Sequence, residues 1–323
     1  MQESGRNRDD GAGAGLSSSR DEESAASNHT ASASPFSESP NERASLLRRG
    51  ARGWRAARTG LAFASLGILS LGLALLIMPP LRLIPGEADQ KERRAQRALH
   101  WMVRVYLRWL RILRLCRIEC TGVERLREPG TLVVANHPTF LDALTLMAVM
   151  PQVDCVVKQS YYDHPFLAGS ARGAGYIPSR DGPELVDECV ERLRRGRSVI
   201  VFPEGTRSPP NGLAPFARGA AHIALRSGRD PVPVAIRCEP ATLHRDQRWW
   251  EVPDRSFTLT LDVGQPIVVK DSLASEAVQP LSRSRAARVL TASLRHYFQD
   301  QALNQAARET AHQQERQKDV GRR

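Results

Sequence analysis

Two short runs of the chain hold residue types that could do chemistry together. The first, residues 136–142, reads NHPTFLD and places His137 five residues before Asp142. A carboxylate at that spacing could reach back to the imidazole, fix its tautomer and stabilise the imidazolium formed when His137 accepts a proton. Pro138 favours the first position of a helix, which would place His137 at a helix N-terminus. Taken alone, the spacing also fits a polar loop histidine with an unrelated helical aspartate.

The second run, residues 202–208, reads FPEGTRS and suits contact with an anion. Gly205 lets the backbone approach a ligand closely, and the guanidinium of Arg207 can hold a phosphate through two parallel hydrogen bonds. Glu204 would repel a phosphate, so we expect it to accept a hydrogen bond from a substrate hydroxyl or to orient Arg207. The alternative is a Pro-Gly turn with a solvated arginine. Together the two runs predict a site that deprotonates one group and holds an anion beside it.

The elements that position these runs alternate between strands and helices, and each run follows a short apolar stretch typical of a buried strand. Such stretches predict strands at 131–135, 153–157, 198–202, 232–236 and 257–263, with a weaker one near 175–178. Helices are predicted at 140–150, 182–195, 215–227 and 282–299. This order predicts an α/β fold with a mostly parallel sheet flanked by helices.

The candidate polar residues follow directly after predicted strands. They are His137, Lys158, Arg180, Glu204 and Arg207. The carboxyl ends of parallel strands lie along one edge of a sheet, where open α/β folds bind their ligands. We therefore expect these side chains to line one crevice, provided that the strands carrying them are all parallel.

The chain ahead of this domain divides into a polar and an apolar segment. Residues 1–47 are rich in small polar and charged residues, and we expect disorder because they cannot bury enough apolar surface. Residues 59–81 carry no charge and are long enough to cross a bilayer, and Pro79 and Pro80 should break or end the helix. The alternative is a buried core helix. Arginines flank both ends, so the positive-inside rule gives no orientation, whereas a hairpin or an interfacial helix would keep both flanks on one side.

Residues 98–116 predict a second helix with a basic stripe, formed by Arg104, Arg108, Arg111 and Arg114. Such a helix can lie in a membrane interface, with arginines toward phosphates and tryptophans at headgroup depth, or on the surface of the globular domain. The polar tail after Leu303 should be frayed or disordered. The predicted organisation is a disordered segment at 1–47, membrane-anchoring helices at 48–116, an α/β domain at 117–300 and a polar tail at 301–323.

Composition limits the partners. The net charge is +11 and the pI about 10.1, which favours an anionic partner. A non-catalytic basic protein that binds a membrane surface or nucleic acid is one interpretation of that charge. Aromatic residues make up 6% of the chain and no nucleic-acid-binding motif occurs, so we expect an anionic membrane surface and no nucleic acid. The five cysteines lack CxxC spacing, which favours reduced, packing thiols over a metal site.

Four blocks in order resemble the glycerolipid acyltransferases, the family that includes the 1-acylglycerol-3-phosphate acyltransferases. NHPTFLD resembles their NHxxxxD block, and FPEGTRS matches their block of the same letters in full. Residues 175–180, GYIPSR, resemble an intermediate block that ends in a substrate-binding arginine, although many members carry other residues in place of Pro178 and Ser179. Residues 232–236, VPVAI, resemble the fourth block. The resemblance covers roughly residues 115–265.

The resemblance implies acyl transfer from a thioester to a lipid hydroxyl, with His137 as general base and Asp142 as its partner. It implies acyl-CoA or acyl carrier protein (acyl-ACP) as donor, direct attack without a covalent acyl-enzyme, and no metal or redox cofactor. The residues expected to bind the phosphate-bearing acceptor are Lys158, Arg180, Glu204, Gly205, Thr206 and Arg207.

The implied acceptor is a membrane lipid, and 1-acylglycerol-3-phosphate would give phosphatidate. Another lyso-lipid or specialised lipid acceptor is the alternative within the same mechanism. Because acyl-CoA and acyl-ACP are cytoplasmic, we expect the protein at the bacterial inner membrane with its α/β domain facing the cytoplasm. A hydrolase is not supported, because the sequence has no GxSxG nucleophile elbow.

Overall fold

The computed structural model describes residues 40–163, 168–179, 182–209, 212–245, 247–248, 251, 253, 255–274 and 282–320. The chain divides into two units, Met1–Leu46 and Leu47–Arg323. The first unit is described only from Pro40 onward, where a helix begins. The second unit contains the sheet and the helices that cover it.

Among the described residues, seven strands make up the sheet. They are β1 (Cys116–Thr121), β2 (Leu132–Ala135), β3 (Asp154–Lys158), β4 (Ile177–Ser179), β5 (Val199–Val201), β6 (Pro231–Glu239) and β7 (Phe257–Val263). Their spatial order is β1-β7-β6-β2-β5-β3-β4. The strands from β6 to β4 in that order run parallel, whereas β7 pairs antiparallel with β6 and parallel with β1. The predicted mostly parallel sheet is confirmed, and the antiparallel pairing lies away from the strands that carry the two runs.

Each predicted strand has a counterpart, including the weak stretch near 175–178, which is β4. The sequence does not predict β1, because Arg117 and Glu119 alternate with its apolar residues and its first residue falls within the predicted helix 98–116. That helix ends earlier, at Ile112, and Arg114 then adopts a left-handed φ of 53° that turns the chain into β1. Prediction of the helix end at residue 116 is therefore wrong.

Helices cover both faces of the sheet and create two cores. They are α1 (Pro40–Gly72), α2 (Met78–Leu83), α3 (Ala88–Ile112), α4 (Asp142–Val149), α5 (Gln159–Tyr162), α6 (Ala168–Gly173), α7 (Pro183–Arg194), α8 (Gly219–Ser227), α9 (Val269–Ala274) and α10 (Arg283–Val320). One core includes residues of α1, α3, α4 and α6, and the other includes residues of α7, α8 and α10. Along β2, Val133 and Ala135 face the first core and Leu132 and Val134 face the second. Helices on both faces and a parallel centre bury β2 completely.

The N-terminal helices contain the apolar segment. The helical stretch Gly53–Leu83 contains an 18-residue window with a mean hydropathy of 2.4, of which 22% is buried, so the stretch is long and apolar enough to cross a membrane. A π-helical turn at Leu73–Ile77, closed by the Met78 N–H and the Leu73 carbonyl, interrupts it. This wide turn directly precedes Pro79 and Pro80, which lack the N–H groups that a regular helix needs. The prolines mark the predicted break, and α2 continues beyond them.

Helix α3 belongs to the globular domain on one face and is open on another. Leu99, Val103 and Leu107 are buried in the first core. Trp101 and Val105 are 59% and 49% exposed. The predicted basic stripe therefore lies on a helix that packs against the domain and still presents apolar side chains outward.

Ion pairs of the buried Arg197 connect α3 to the sheet. Asp154, at the start of β3, is fully buried, and Arg197, 4% exposed, donates to it through Nε at 2.6 Å and through Nη2. Nη1 of Arg197 lies 2.5 Å from Asp89 and 2.7 Å from Glu92, both near the start of α3. Burial raises the pKa of Asp89, but the hydrogen bonds and charges of Arg93 and Arg197 outweigh it and hold that pKa below its usual range.

Two predictions of disorder are wrong where the structure describes the chain. Helix α1 begins at Pro40, so residues 40–47 are helical, and residues 1–39 lie outside the described residues. Helix α10 continues to Val320, whereas the sequence predicts a frayed tail after Leu303. That tail is rich in Ala, Gln, Glu and Arg, which favour helix even where few residues are apolar.

Candidate functional site

The two runs leave neighbouring strands and are bonded to each other. Strands β2 and β5 pair in parallel, with Leu132 opposite Val199, so their carboxyl ends lie side by side. The Ser208 N–H of the second run donates to the carbonyl oxygen of His137 in the first at 2.7 Å. The predicted edge of the sheet therefore brings both runs into one place.

His137 and Asp142 form a hydrogen-bonded pair. Nδ1 of His137 lies 2.8 Å from Oδ2 of Asp142, whose side chain is fully buried, while the side chain of His137 is 20% exposed. Because a carboxylate accepts, the contact assigns the proton to Nδ1 and leaves a lone pair on Nε2. The imidazole stacks on Phe202 with ring centroids 4.3 Å apart, which limits its rotation. Within the described part of the chain, Nε2 has no hydrogen-bond partner and is open to a substrate.

Asp142 is held by donors that carry no charge. Besides His137, it accepts from the Thr139 N–H at 2.7 Å and from the Thr139 hydroxyl at 2.5 Å. Burial raises the pKa of the Asp142 carboxyl, while the hydrogen bonds from His137 and Thr139 oppose that rise. No guanidinium or ammonium neutralises the carboxylate among the described residues, so its charge is available to stabilise an imidazolium at His137.

The helix after His137 begins later than predicted. Helix α4 starts at Asp142, so Pro138 lies in the preceding loop and the prediction of His137 at a helix N-terminus is wrong. Thr139 makes the turn instead, because its Oγ1 accepts from the Leu141 N–H at 3.1 Å and donates to Asp142. The Thr139 side chain bonds a backbone N–H that would otherwise belong to the first helical turn, so the helix starts later. The same turn brings the Asp142 carboxylate within hydrogen-bond distance of the imidazole.

Glu204 accepts hydrogen bonds from three groups of the protein itself. Its Oε1 accepts from the His137 N–H at 2.9 Å and from the Ser208 hydroxyl at 2.7 Å, and its Oε2 accepts from the Ala214 N–H at 2.8 Å. The side chain is 8% exposed. Both carboxylate oxygens are therefore engaged within the protein, and no hydrogen bond to Arg207 occurs among the described residues, whereas the predicted contact with a substrate hydroxyl stays a prediction. Backbone N–H groups beyond strand ends need acceptors when buried, and this carboxylate supplies them for both runs.

Gly205, Thr206 and Arg207 form the tip of the second run. Gly205 has a φ of +64°, and a Cβ there would meet no atom within 4 Å, so the glycine is needed for the turn and leaves open space above the backbone. Thr206 and Arg207 are half-buried. Nη1 of Arg207 donates to the carbonyls of Leu243 and His244 at 2.9 and 3.1 Å. Its Nε and Nη2 have no hydrogen-bond partner within the described ranges, so they can serve an anion.

The remaining predicted ligands do not join this group. Lys158 is exposed at the end of β3, opposite Ser179 of β4, and β5 separates its strand from β2. Neither a hydrogen bond nor an ion pair links Lys158 to His137 among the described residues. Arg180 lies outside the described residues. The structure therefore unites the two runs without placing Lys158 against them.

Sequence reasoning missed the groups that hold the runs in place. The Asn136 amide donates to the Ile236 carbonyl at 2.9 Å and accepts from the Ile236 N–H at 2.7 Å, which extends the β2–β6 pairing past the strand end. Thr139, Phe202 and Ser208 position His137 and Asp142 in the ways described above. For Asn136, Thr139 and Ser208 the residue type is the available signal, since short amide and hydroxyl side chains beside a strand end commonly bond the backbone.

A cavity of about 390 Å³ opens beside the histidine run. Phe140 and Leu141 form part of its wall, and α1, α3 and the segment ahead of β7 form the rest. Phe63 and Leu110 contribute apolar surface, and Arg58 lies at its lining as well. The volume falls within the roughly 300–1,000 Å³ of small-molecule sites. An apolar chain could therefore lie next to the His137–Asp142 loop.

This geometry agrees with a family match. Residues 117–237 match the family model described as Acyltransferase, and that span contains both runs. Within that span, the chain is similar to the glycerolipid acyltransferases. The resemblance predicted from the four blocks is confirmed.

Curated relatives of this acyltransferase domain act on lyso-lipids by name. A chloroplast 1-acyl-sn-glycerol-3-phosphate acyltransferase of Brassica napus is 31% identical over 127 residues, covering 37% of each chain. The 1-acyl-sn-glycerol-3-phosphate acyltransferase of Neisseria gonorrhoeae is 30% identical over 164 residues, 46% of this chain and 63% of that protein. A lyso-ornithine lipid O-acyltransferase of Pseudomonas aeruginosa is 34% identical over 181 residues, 53% and 65% of the two chains. The chain thus matches little more than a third of the Brassica protein and less than two thirds of the bacterial ones.

A solved structure shares the acyltransferase fold. The crystal structure of the 1-acyl-sn-glycerophosphate acyltransferase from Thermotoga maritima superposes with a TM-score of 0.54, covering 76% of this chain and 97% of that one. At 19% sequence identity, the likeness supports the fold alone.

Proposed function

We propose that this domain transfers an acyl chain from acyl-CoA or acyl-ACP to the free hydroxyl of 1-acylglycerol-3-phosphate, which yields phosphatidate and a free thiol. The observation that carries the proposal is the His137–Asp142 pair, with Nε2 open and the 2.8 Å contact on the opposite ring nitrogen. The names of the Brassica and Neisseria relatives support the acceptor.

His137 acts as the general base in this proposal. Its Nε2 takes the proton of the acceptor hydroxyl as the oxygen attacks the carbonyl carbon of the thioester. The tetrahedral intermediate collapses, the carbon–sulfur bond breaks, and the departing thiolate takes the proton from the imidazolium. Asp142 keeps Nδ1 protonated throughout and stabilises the transient positive charge. No bond to the enzyme forms, and the products are an ester and a thiol.

The tip of the second run is the proposed phosphate site. Nε and Nη2 of Arg207 can donate to two phosphate oxygens, and the open space above Gly205 leaves room for the ligand. The hydroxyl of Thr206 adds a further donor. Arg180 is included in the proposed acceptor site because it ends the matching block. Lys158 is included because it follows β3, although β5 separates that strand from β2 and Lys158 makes no hydrogen bond or ion pair with His137 among the described residues.

Membrane attachment fits this substrate. The helical stretch Gly53–Leu83 is long and apolar enough to enter a bilayer, and Trp101 and Val105 of α3 are exposed. The cavity beside Phe140 then offers a place for an acyl chain drawn from the bilayer. We place the domain on the cytoplasmic face of the bacterial inner membrane, against an anionic lipid surface, where both thioester donors are found.

A lyso-ornithine lipid is a second candidate acceptor. The Pseudomonas lyso-ornithine lipid O-acyltransferase matches more residues at higher identity than the Brassica and Neisseria relatives do. Thiol release compared across 1-acylglycerol-3-phosphate and lyso-ornithine lipid separates the two candidates. A preference for the aminolipid in kcat/KM would replace phosphatidate synthesis and leave the same base in place.

The base is tested by measuring free thiol from acyl-CoA and 1-acylglycerol-3-phosphate. We expect His137→Ala to lower kcat by roughly 10²–10⁴-fold, the usual contribution of a general base. His296→Ala is the matched control, because His296 also lies 2.7 Å from an aspartate, Asp300, but on the exposed surface of α10. Thiol release at equal rates from the His137→Ala variant and the unchanged protein would contradict the proposal.

A further inference from the structure

A second cavity, of about 510 Å³, lies at the opposite edge of the sheet from His137. Leu126 and Arg127 ahead of β2, Met150 and Val153 ahead of β3, and Arg197 ahead of β5 contribute to its wall. These residues precede the strands, whereas the two runs follow them. At about 3.3 Å per residue, strands of this length separate the two edges by roughly 15 Å. The second cavity is therefore distinct from the proposed acyl-transfer site.

One face of α3 forms a basic wall of this cavity. Arg93, Arg97, His100 and Arg104 recur every three or four residues and share one side of the helix. Arg104 belongs to the basic stripe that the sequence assigns to a membrane or solvent face, but here it lines a cavity. The lining contains arginines 93, 97, 104, 127 and 197 against the acids Glu128 and Asp154, an excess of positive charge.

Three of these arginines have no acidic partner. Arg197 is paired with Asp154, whereas Arg97, Arg104 and Arg127 make no ion pair with any described residue. Arg104 instead lies over the Trp101 ring, 5.5 Å from its centroid. Unpaired guanidinium groups that converge on a cavity favour an anionic ligand with several acceptor oxygens.

The buried His100 indicates which anions suit the cavity, because its Nε2 can accept a proton from the ligand. Its side chain is 7% exposed, and Nδ1 lies 2.8 Å from the Met147 carbonyl, so Nδ1 carries the proton and Nε2 has a lone pair. Nε2 has no partner in the described part of the chain, and His100 belongs to the cavity lining. A lone pair suits an anion that keeps an exchangeable proton. A phosphomonoester, whose second pKa is about 6, does so near neutral pH, whereas a phosphodiester or a sulfate does not.

We propose that this cavity binds a phosphomonoester group. Arg97, Arg104 and Arg127 hold its oxygens, and Nε2 of His100 accepts its remaining proton. The apolar wall that includes Leu126 and Met150 contacts the body of the ligand. The group is carried either by a membrane lipid, which the exposed Trp101 would admit from a bilayer, or by a soluble compound. The site stands independently of the proposed acyl transfer.

Calorimetric titration of the full chain in detergent tests the proposal. The Arg207→Ala background removes binding at the catalytic edge, so the result does not depend on the proposed function. The probes are glycerol 3-phosphate, dihexanoyl phosphatidate and, as a phosphodiester control, dihexanoyl phosphatidylcholine. We expect both monoesters to bind and the phosphodiester to bind at least tenfold more weakly. Tighter binding of dihexanoyl phosphatidate identifies a lipid ligand, and equal or tighter binding of glycerol 3-phosphate identifies a soluble one.

Variants on one helix separate the cavity from general surface charge. The double variant Arg97→Gln, Arg104→Gln should weaken monoester binding roughly 10- to 100-fold, as expected for the loss of charge-assisted hydrogen bonds. Arg108→Gln, exposed one turn beyond Arg104 and outside the cavity lining, should change it by less than about twofold. If the double variant misfolds by circular dichroism, Arg127→Gln alone should weaken binding about tenfold.

The role of His100 has its own variant. His100→Asn keeps a donor near Nδ1 for the Met147 carbonyl and removes Nε2, so monoester affinity should fall several-fold with the fold intact. The proposal is overturned if neither monoester binds below about 10 mM. Equal losses in the Arg108 variant and the double variant, or equal binding of the phosphodiester, would overturn it too.

Discussion

The sheet has a carboxyl edge, where the parallel strands end, and an amino edge, where they begin. Both edges contain buried carboxylates, but the hydrogen-bond donors that these carboxylates receive differ. At the carboxyl edge, Asp142 and Glu204 accept hydrogen bonds from backbone N–H groups, hydroxyls and an imidazole. At the amino edge, the buried Asp154 and the partly exposed Asp89 are bonded by the guanidinium of Arg197. Neutral donors leave a carboxylate its charge, whereas arginine cancels it.

This difference suits the carboxyl edge to proton transfer and the amino edge to holding helices and strands together. The uncancelled charge of Asp142 can stabilise an imidazolium 2.8 Å away, and the carboxylate of Glu204 joins two loops without adding a cation near the acceptor site. The cancelled charges around Arg197 do no proton transfer and connect α3 to β3. Replacing single members of each set should therefore affect either rate or stability.

The largest effect should come from Asp142→Asn. The amide cannot accept from both Nδ1–H and the Thr139 donors as the carboxylate does, and the imidazole loses its tautomer and its countercharge. We expect kcat to fall roughly 10²–10⁴-fold with KM changed far less. Thiol release at saturating acceptor measures this, and a kcat within tenfold of the unchanged protein would show that the charge is not needed.

Removing the Arg197 ion pairs at the amino edge should lower the free energy of unfolding instead of the rate. Arg197→Met leaves Asp154 buried without its main partner, and the free energy of unfolding should fall by about 3–5 kcal/mol. Arg195→Met is the matched control, since Arg195 pairs with Glu191 on the exposed side of α7 and should contribute less than about 0.5 kcal/mol. Urea titration gives both values. A similar loss in the two variants would remove the distinction between buried and exposed pairs.

Glu204→Gln should have a smaller effect than the two variants above. It tests whether Glu204 holds the two runs together or contacts the substrate. The amide must direct an NH₂ group toward a donor that the carboxylate now accepts from, so we expect about 1–3 kcal/mol of lost stability and a lower kcat. Urea titration and acceptor kinetics are measured together. Unchanged stability with a raised acceptor KM alone would restore Glu204 to substrate binding.

The smallest effect is a pH dependence at the amino edge. The pKa of Asp89 is lower in the folded protein than its usual 3.8, so its contribution is complete above that value and disappears as pH falls through the folded pKa. The unfolding midpoints of the unchanged protein and Asp89→Asn should therefore differ at about pH 6 and approach each other as the pH falls below 3.8. Midpoints that stay equally far apart at both values would place the acid sensitivity elsewhere.

Local sequence patterns predict the sheet and the contact between His137 and Asp142 well, because both depend on short-range features. Apolar stretches identify the buried parallel strands, and the five-residue spacing of His137 and Asp142 survives even though the turn between them is made by Thr139 and not by a helix. The strand β1 escapes prediction because its exposed edge position lets charged residues alternate with apolar ones.

The roles of single charged residues are harder to predict, since they depend on partners distant in the chain. Glu204 lies next to Gly205 and Arg207 in sequence, yet its hydrogen bonds go to His137, Ser208 and Ala214. Likewise, nothing local marks Arg197 as buried or Arg104 as part of a cavity wall. Burial and pairing are set by the tertiary fold, which the local pattern does not contain.

The long reach of the Arg197 contacts has a consequence for synthesis. Asp89 and Arg197 are 108 residues apart, so α3 leaves the ribosome well before its partner. At roughly 5–20 residues per second, α3 and the apolar helix ahead of it wait about 5–20 s before Arg197 is available to dock them. During that interval these helices expose their apolar faces, and early contact with lipid or a chaperone would protect the nascent chain from aggregation.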